Sequence, residues 1–169
     1  EKISNIKKVR RLKTQTDQMA INIEWGNFNK LPRTTYDRKL DTSTANPGRQ
    51  ILEKMVSGMY LGEIVRLVLL DLIRKKILFS GKAPTGLARP WKFNTSQVAL
   101  AEGDRSKRLD KIGKLLKRPG KPISSYPDRL MVKKVCGMVS TRSAQISAAV
   151  IAAVILWMDP KIARNHTVA

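Results

Sequence analysis

Between residues 61 and 72, apolar side chains recur at three- and four-residue spacing: Leu61, Ile64, Val65, Val68, Leu69 and Leu72. That period places all six on one stripe of a helix, and such a stripe must be buried against other elements. The stripe lies within "GRQILEKMVSGMYLGEIVRLVLLDLIRKKILF", which predicts a helical pair over about 48–78 with a break at Gly58. Lys75 and Lys76 suit its C-terminal end, where cations oppose the helix dipole. A second run, "PDRLMVKKVCGMVSTRSAQISAAVIAAVILWM", predicts a long helix from about residue 128, with Pro127 near its start and Asp128 able to cap it. Its last part, 146–158, is the longest apolar run in the chain. That run is shorter than the roughly 18–20 residues of a membrane span. It reads as a helix buried on most sides, with no transmembrane segment.

The remaining elements are shorter. Residues 20–25 alternate apolar and polar, the pattern of a short strand, and Glu24 falls near its carboxyl end before Gly26 and Asn27. In open α/β sheets that edge is where ligands bind. Pro32 and the Asn46-Pro47-Gly48 cluster mark turns, with a short helix or loop between them. From 80 to 127 the pattern weakens: Gly81, Pro84, Gly86 and Pro90 make a loop, and 93–118 holds one or two short helices. The pattern is that of an α-rich α/β unit with one or two strands. Its 169 residues suit a single domain, with a basic N-terminal segment at 1–19 and a divergent basic region at 80–127.

Charge is the anomaly of the composition. Lys and Arg number 33 against 13 Asp and Glu, a net charge of +20, where a small domain usually carries a magnitude of roughly 2–8. Self-repulsion of that size calls for an anionic partner. Two clusters carry it: Lys7, Lys8, Arg10, Arg11 and Lys13, then Arg105, Lys107, Arg108, Lys111, Lys114, Lys117, Arg118 and Lys121. In the second, Leu109, Ile112, Leu115 and Leu116 supply an apolar side, so the cations share an outer face. Both clusters are candidate contacts to an RNA backbone, in salt-sensitive binding that reads no sequence. A solvated face is the plainer account of any charge run.

Most catalytic chemistries have no foothold. Cys136 is the only cysteine and His166 the only histidine, so neither a zinc site nor a Cys–His pair is visible. The lone cysteine reads as a buried residue on a helix, and fits a reducing, intracellular compartment. The basic start has no apolar segment behind it and does not read as a signal peptide; without an initiator Met the chain reads as a processed or partial product. No phosphate loop, dinucleotide fingerprint or nucleophile elbow occurs. Glu24, Gln50 and Glu53 remain. Gln50 and Glu53 are three residues apart, on one helix face. Carboxylates and an amide converging at one rim suit a neutral polar ligand such as a sugar, whose hydroxyls both donate and accept.

Four segments, "INIEWGNF", "LPRTTYDRKLD", "NPGRQILEKMVSGMYLGEIVRLVLL" and "VCGMVSTRSA", closely resemble the eukaryotic hexokinase family, its plant and fungal members especially. The resemblance runs from about residue 5 to 157 and is weakest across 80–125. It implies part of the large domain of an actin-like, ribonuclease-H-like ATPase fold, with a truncated sheet. It also implies that Glu24, Gln50 and Glu53 match hexose-binding residues, and Asn5 the sugar-binding Asn after the family's phosphate turn. Gly58 and Thr141 match positions near the family's nucleotide. The family's phosphate turn reads G-T-G, where Glu1, Lys2 and Ile3 stand here. The small domain with its catalytic Asp and the C-terminal nucleotide segment have no counterpart. With the basic clusters, these departures lead to the expectation of a non-catalytic, hexokinase-derived structural protein, without cofactor or metal. It would bind RNA beside neighbouring proteins in a ribonucleoprotein assembly, with a mitochondrial ribosome as the specific setting. The alternative is a fragment of an active hexokinase that phosphorylates glucose with ATP and magnesium, in the cytoplasm. A non-catalytic hexose sensor or a scaffold at a membrane surface is a third option.

Overall fold

The computed structural model describes residues 22–116 and 124–162. Its elements, in chain order, are α1 (Thr35–Thr42), α2 (Ile51–Val56), α3 (Gly58–Arg74), a 3-10 turn (Phe79–Gly81), α4 (Thr85–Ala88), α5 (Thr95–Glu102), α6 (Asp110–Leu115) and α7 (Tyr126–Met158). The expected helical pair is α2 and α3. The break falls at Ser57, one residue before Gly58, because Ser57 takes an extended backbone and its hydroxyl accepts from the Met59 N–H. A serine at this position stops one helix and caps the next.

Helix α3 is the axis of the molecule, packing against α1, α2, α4, α5 and α7. Of the stripe, Leu61, Ile64, Val65 and Leu69 are buried in the core, and Val68 and Leu72 pack at its edge. Val98 and Ala101 of α5, Ile112 of α6, and Val132, Val135, Cys136 and Val139 of α7 close the same core. The expected buried cysteine is therefore seen, its thiol pushed up to about 12 chiefly by burial. Gly62 lets the loop lie directly on α3: a Cβ there would touch the Phe93 carbonyl and come within 2.6 Å of Asn94 Cα.

Two buried polar networks fasten the weakly patterned region. Glu63 pairs with Arg66 through contacts of 2.6 and 2.8 Å; Glu63 also accepts from Trp91 N–H at 2.8 Å, and Arg66 donates to the Leu87 carbonyl at 3.0 Å. Asp104, fully buried, accepts from the Ser106 hydroxyl at 2.7 Å and N–H at 3.0 Å, and from Ile112 N–H at 3.0 Å.

Three expectations are corrected. Residues 22–25 are irregular, and there is no strand among the described residues. A strand requires a neighbouring strand for its ladder bonds; here the Ile23 and Trp25 carbonyls accept in local turns from Trp25 and Phe28. Second, α7 is capped by Ser125, with Asp128 as the reciprocal third-position partner, accepting from the Ser125 N–H at 3.0 Å. Third, the apolar end of α7 is not buried. Ser143, whose hydroxyl donates to the Val56 carbonyl at 3.0 Å, is its last buried residue, and from 144 to 158 none is buried. Ile146, Val150, Ile151, Val154 and Ile155 are half-buried there, and Leu156, Trp157 and Met158 are exposed. By length and composition alone it is also long and apolar enough to cross a membrane, although its first half belongs to the packed core.

Candidate hexose-binding rim

The short helix α2 has no side-chain cap of its own, since its N-cap residue Gln50 makes no such bond. The strip at 26–28 supplies the partners instead. Asn27 Oδ1 accepts from Gln50 N–H at 2.9 Å, the Phe28 carbonyl from Leu52 N–H at 3.1 Å, and the Gly26 carbonyl from Glu53 N–H at 3.1 Å. The first-turn N–H groups that a helix leaves unpaired thus tie the two acidic motifs together. Gly26 allows it: a Cβ there would lie 3.3 Å from Gln50 Oε1 and 3.4 Å from Glu53 Cβ. Glu24 stands two residues upstream, exposed, with one carboxylate oxygen accepting from Asn22 Nδ2 at 2.8 Å.

Gln50 is the informative member. Its backbone is left-handed, with φ of 51°, a region that non-glycine residues rarely occupy. Its Oε1 is buried and has no hydrogen-bond partner. Buried acceptors are nearly always satisfied, so this one, beside Glu53 and Gly26, lacks only a donor. The Gln50 amide would have to turn outward to accept from a ligand hydroxyl, whereas the exposed Glu24 carboxylate can accept from one directly.

Gln50 and Glu53 therefore meet at Gly26, and Glu24 stands two residues before that contact with its carboxylate on Asn22. Asn5, Lys7, Lys8, Arg10, Arg11, Lys13, Lys117, Arg118 and Lys121 lie outside the described residues, as does His166. Gly58 and Thr141 lie on neighbouring segments: the Ser143 hydroxyl, two residues past Thr141, donates to the Val56 carbonyl, two residues before Gly58, at 3.0 Å. The Gly58 carbonyl accepts from the Thr95 hydroxyl at the start of α5, while Thr141 lines a recess with Glu102 at its far end. Sequence reading missed Asn27 and Thr95, neither of which stands in a pattern that marks it as a partner. It also missed Lys54 and Asp41, though a lysine inside the apolar stretch "ILEKMV" is itself a signal.

The solved structures this chain resembles are hexokinases, of actin-like ATPase fold. One, a hexokinase from Schistosoma mansoni complexed with glucose, matches with a TM-score of 0.66 and 35% identity over 73% of this chain and 28% of that one. A second hexokinase structure matches with a TM-score of 0.65 and 30% identity, over 82% and 31%. A family model described as Hexokinase matches residues 1–169, and the chain belongs to that family. Hexokinase-2 of Oryza sativa subsp. japonica is 40% identical over 88% of this chain and 31% of its own length. Hexokinase-2 of Rattus norvegicus is 41% identical over 83% and 16%, so plant and animal members match alike. The chain spans about a third or less of the relatives it matches.

Membership of that family overturns the expectation of an RNA-binding, ribosomal protein, and the mitochondrial-ribosome setting falls with it. The family model runs through both basic clusters. Arg105, Lys107, Arg108, Lys111 and Lys114 are exposed, while Leu109, Ile112 and Leu116 beneath them are buried. This is the solvated outer face of an amphipathic segment, which requires no polyanion to account for it.

Proposed function

We propose that the chain is part of the large domain of an ATP-dependent hexokinase and that Glu24, Gln50 and Glu53 form one wall of its glucose site, with Asn5 a further member. The observation that carries this reading is the meeting of Gln50 and Glu53 at Gly26, two residues after Glu24. The solved hexokinase complexed with glucose, matched at 35% identity, supports the same assignment. Glucose hydroxyls would donate to the Glu24 and Glu53 carboxylates and to Gln50 Oε1, each bond fixing one direction of the ring.

The reading places ATP and magnesium with the complete enzyme. Among the described residues no three His, Cys, Asp or Glu side chains converge on a metal position, and no phosphoryl-transfer step is assigned to this part. In the same reading, the rest of the large domain, including its sheet, covers the exposed end of α7.

Calorimetric titration with glucose tests the proposal. Hydrogen bonds to charged groups contribute about 1.5–3 kcal/mol, so Glu53→Gln should weaken binding roughly ten- to hundredfold, and Gln50→Ala by a smaller factor. Glucose affinity unchanged by both substitutions would reject the site.

A further inference from the structure

Resting on that hexose-binding reading, we propose that Lys54, through Asp41, is a positioning residue that presets the 46–50 turn and with it the left-handed Gln50. Lys54 directly follows Glu53, turned about 100° from it around the helix, and its side chain is only 3% exposed. Its ammonium donates to Asp41 Oδ1 at 2.7 Å and to the Asn46 carbonyl at 2.7 Å. The Asp41 carboxylate in turn accepts from Gly48 N–H at 3.0 and 3.1 Å. One buried pair therefore holds the turn at two points, the Asn46 C=O and the Gly48 N–H. Arg33 adds a peripheral contact to Asp41 at 3.5 Å.

The turn needs such a hold. Gly48 has φ of +76° and Gln50 of 51°, two left-handed residues within three positions. Gly48 adopts that conformation freely, whereas Gln50 does not. Released from the turn, Gln50 would return to an ordinary backbone region and its amide would swing away from Gly26. A buried ammonium is costly to desolvate, and an apolar pair of similar volume is often no less stable. Stability alone thus gives no reason for a lysine inside an otherwise apolar helix face. The position of the turn does.

Three variants separate the roles. Lys54→Met leaves Asp41 buried with its main partner gone, so stability and glucose affinity should both fall. Lys54→Met combined with Asp41→Leu removes both charges and should recover much of the melting temperature. Glucose affinity should stay at least tenfold weaker, and hydrogen exchange at the Gly48 and Gln50 amides should stay accelerated. Recovery of affinity together with melting temperature would make Lys54 structural only and overturn the proposal. Asp41→Asn preserves the side-chain shape and the Gly48 acceptor, and should give a partial loss of affinity with faster exchange at 48–50. Unchanged exchange there would equally overturn it. If the unmodified chain binds no glucose, the hexose reading fails, and the exchange rates alone decide whether Lys54 holds the turn.

Discussion

At the scale of single residues, the fold depends on carboxylates whose partners outweigh their burial. Burial pushes Asp104 up, but the Ser106 hydroxyl and the Ser106 and Ile112 N–H groups hold it at about 2. Burial also raises Asp41 and Asp37, and the Lys54 ammonium and the Arg142 guanidinium respectively bring each below the ordinary value. A carboxyl depressed in the folded state contributes stability that is fully present above its unfolded value near 4 and is lost as pH falls through the folded value. Urea midpoints should therefore decline between about pH 4 and pH 2. Asp104→Asn should cost about 1–3 kcal/mol at neutral pH and flatten that decline; an unchanged slope would mean that Asp104 is not the group responsible. Residue-scale chemistry was partly legible in the sequence. Glu24, Gln50 and Glu53 could be picked out because motif and spacing mark them. The left-handed backbone of Gln50 and its orphaned oxygen could not, because they belong to a turn whose partners, Asn27 and Asp41, lie outside the motif.

At the scale of elements, helices were read better than strands because a helix satisfies its own backbone and its period is written locally. The stripe at 61–72 and the run after Pro127 became α3 and α7, whereas the alternating 22–25 formed no strand among the described residues. Burial of α7 was misread for a related reason: an apolar run shows that a face must be covered, not what covers it. Because 144–158 has no buried residue, Trp157→Ser, at 84% exposure, should alter the stability of this chain by less than about 0.5 kcal/mol. Leu69→Ala, with Leu69 fully buried, should cost about 2–5 kcal/mol. The contact between α3 and the 93–94 loop gives a sharper case. Gly62→Ala drives a methyl group into backbone atoms and should cost about 1–3 kcal/mol, visible as a lowered melting temperature.

At the scale of the whole molecule, the chain carries a packed helical core, a rim with unmet hydrogen-bonding capacity and an apolar helix end facing solvent. Exposed apolar patches of this kind mark surfaces that another part or partner covers, or that aggregate. The chain spans about a third or less of its hexokinase relatives, and under the proposed reading the rest of the large domain would supply that cover. Sedimentation should then show the isolated chain self-associating, and a longer product containing the rest of the domain remaining dispersed; a monodisperse isolated chain would count against this. Net charge misled at this scale because +20 states how many cations there are, not whether they face a partner. The most direct test of the hexose rim is an amide chemical-shift map of the labelled chain titrated with glucose. The account predicts shifts concentrated at 24–28 and 48–53, around Gly26, Gln50 and Glu53. Saturating glucose that leaves those amides unmoved would contradict it.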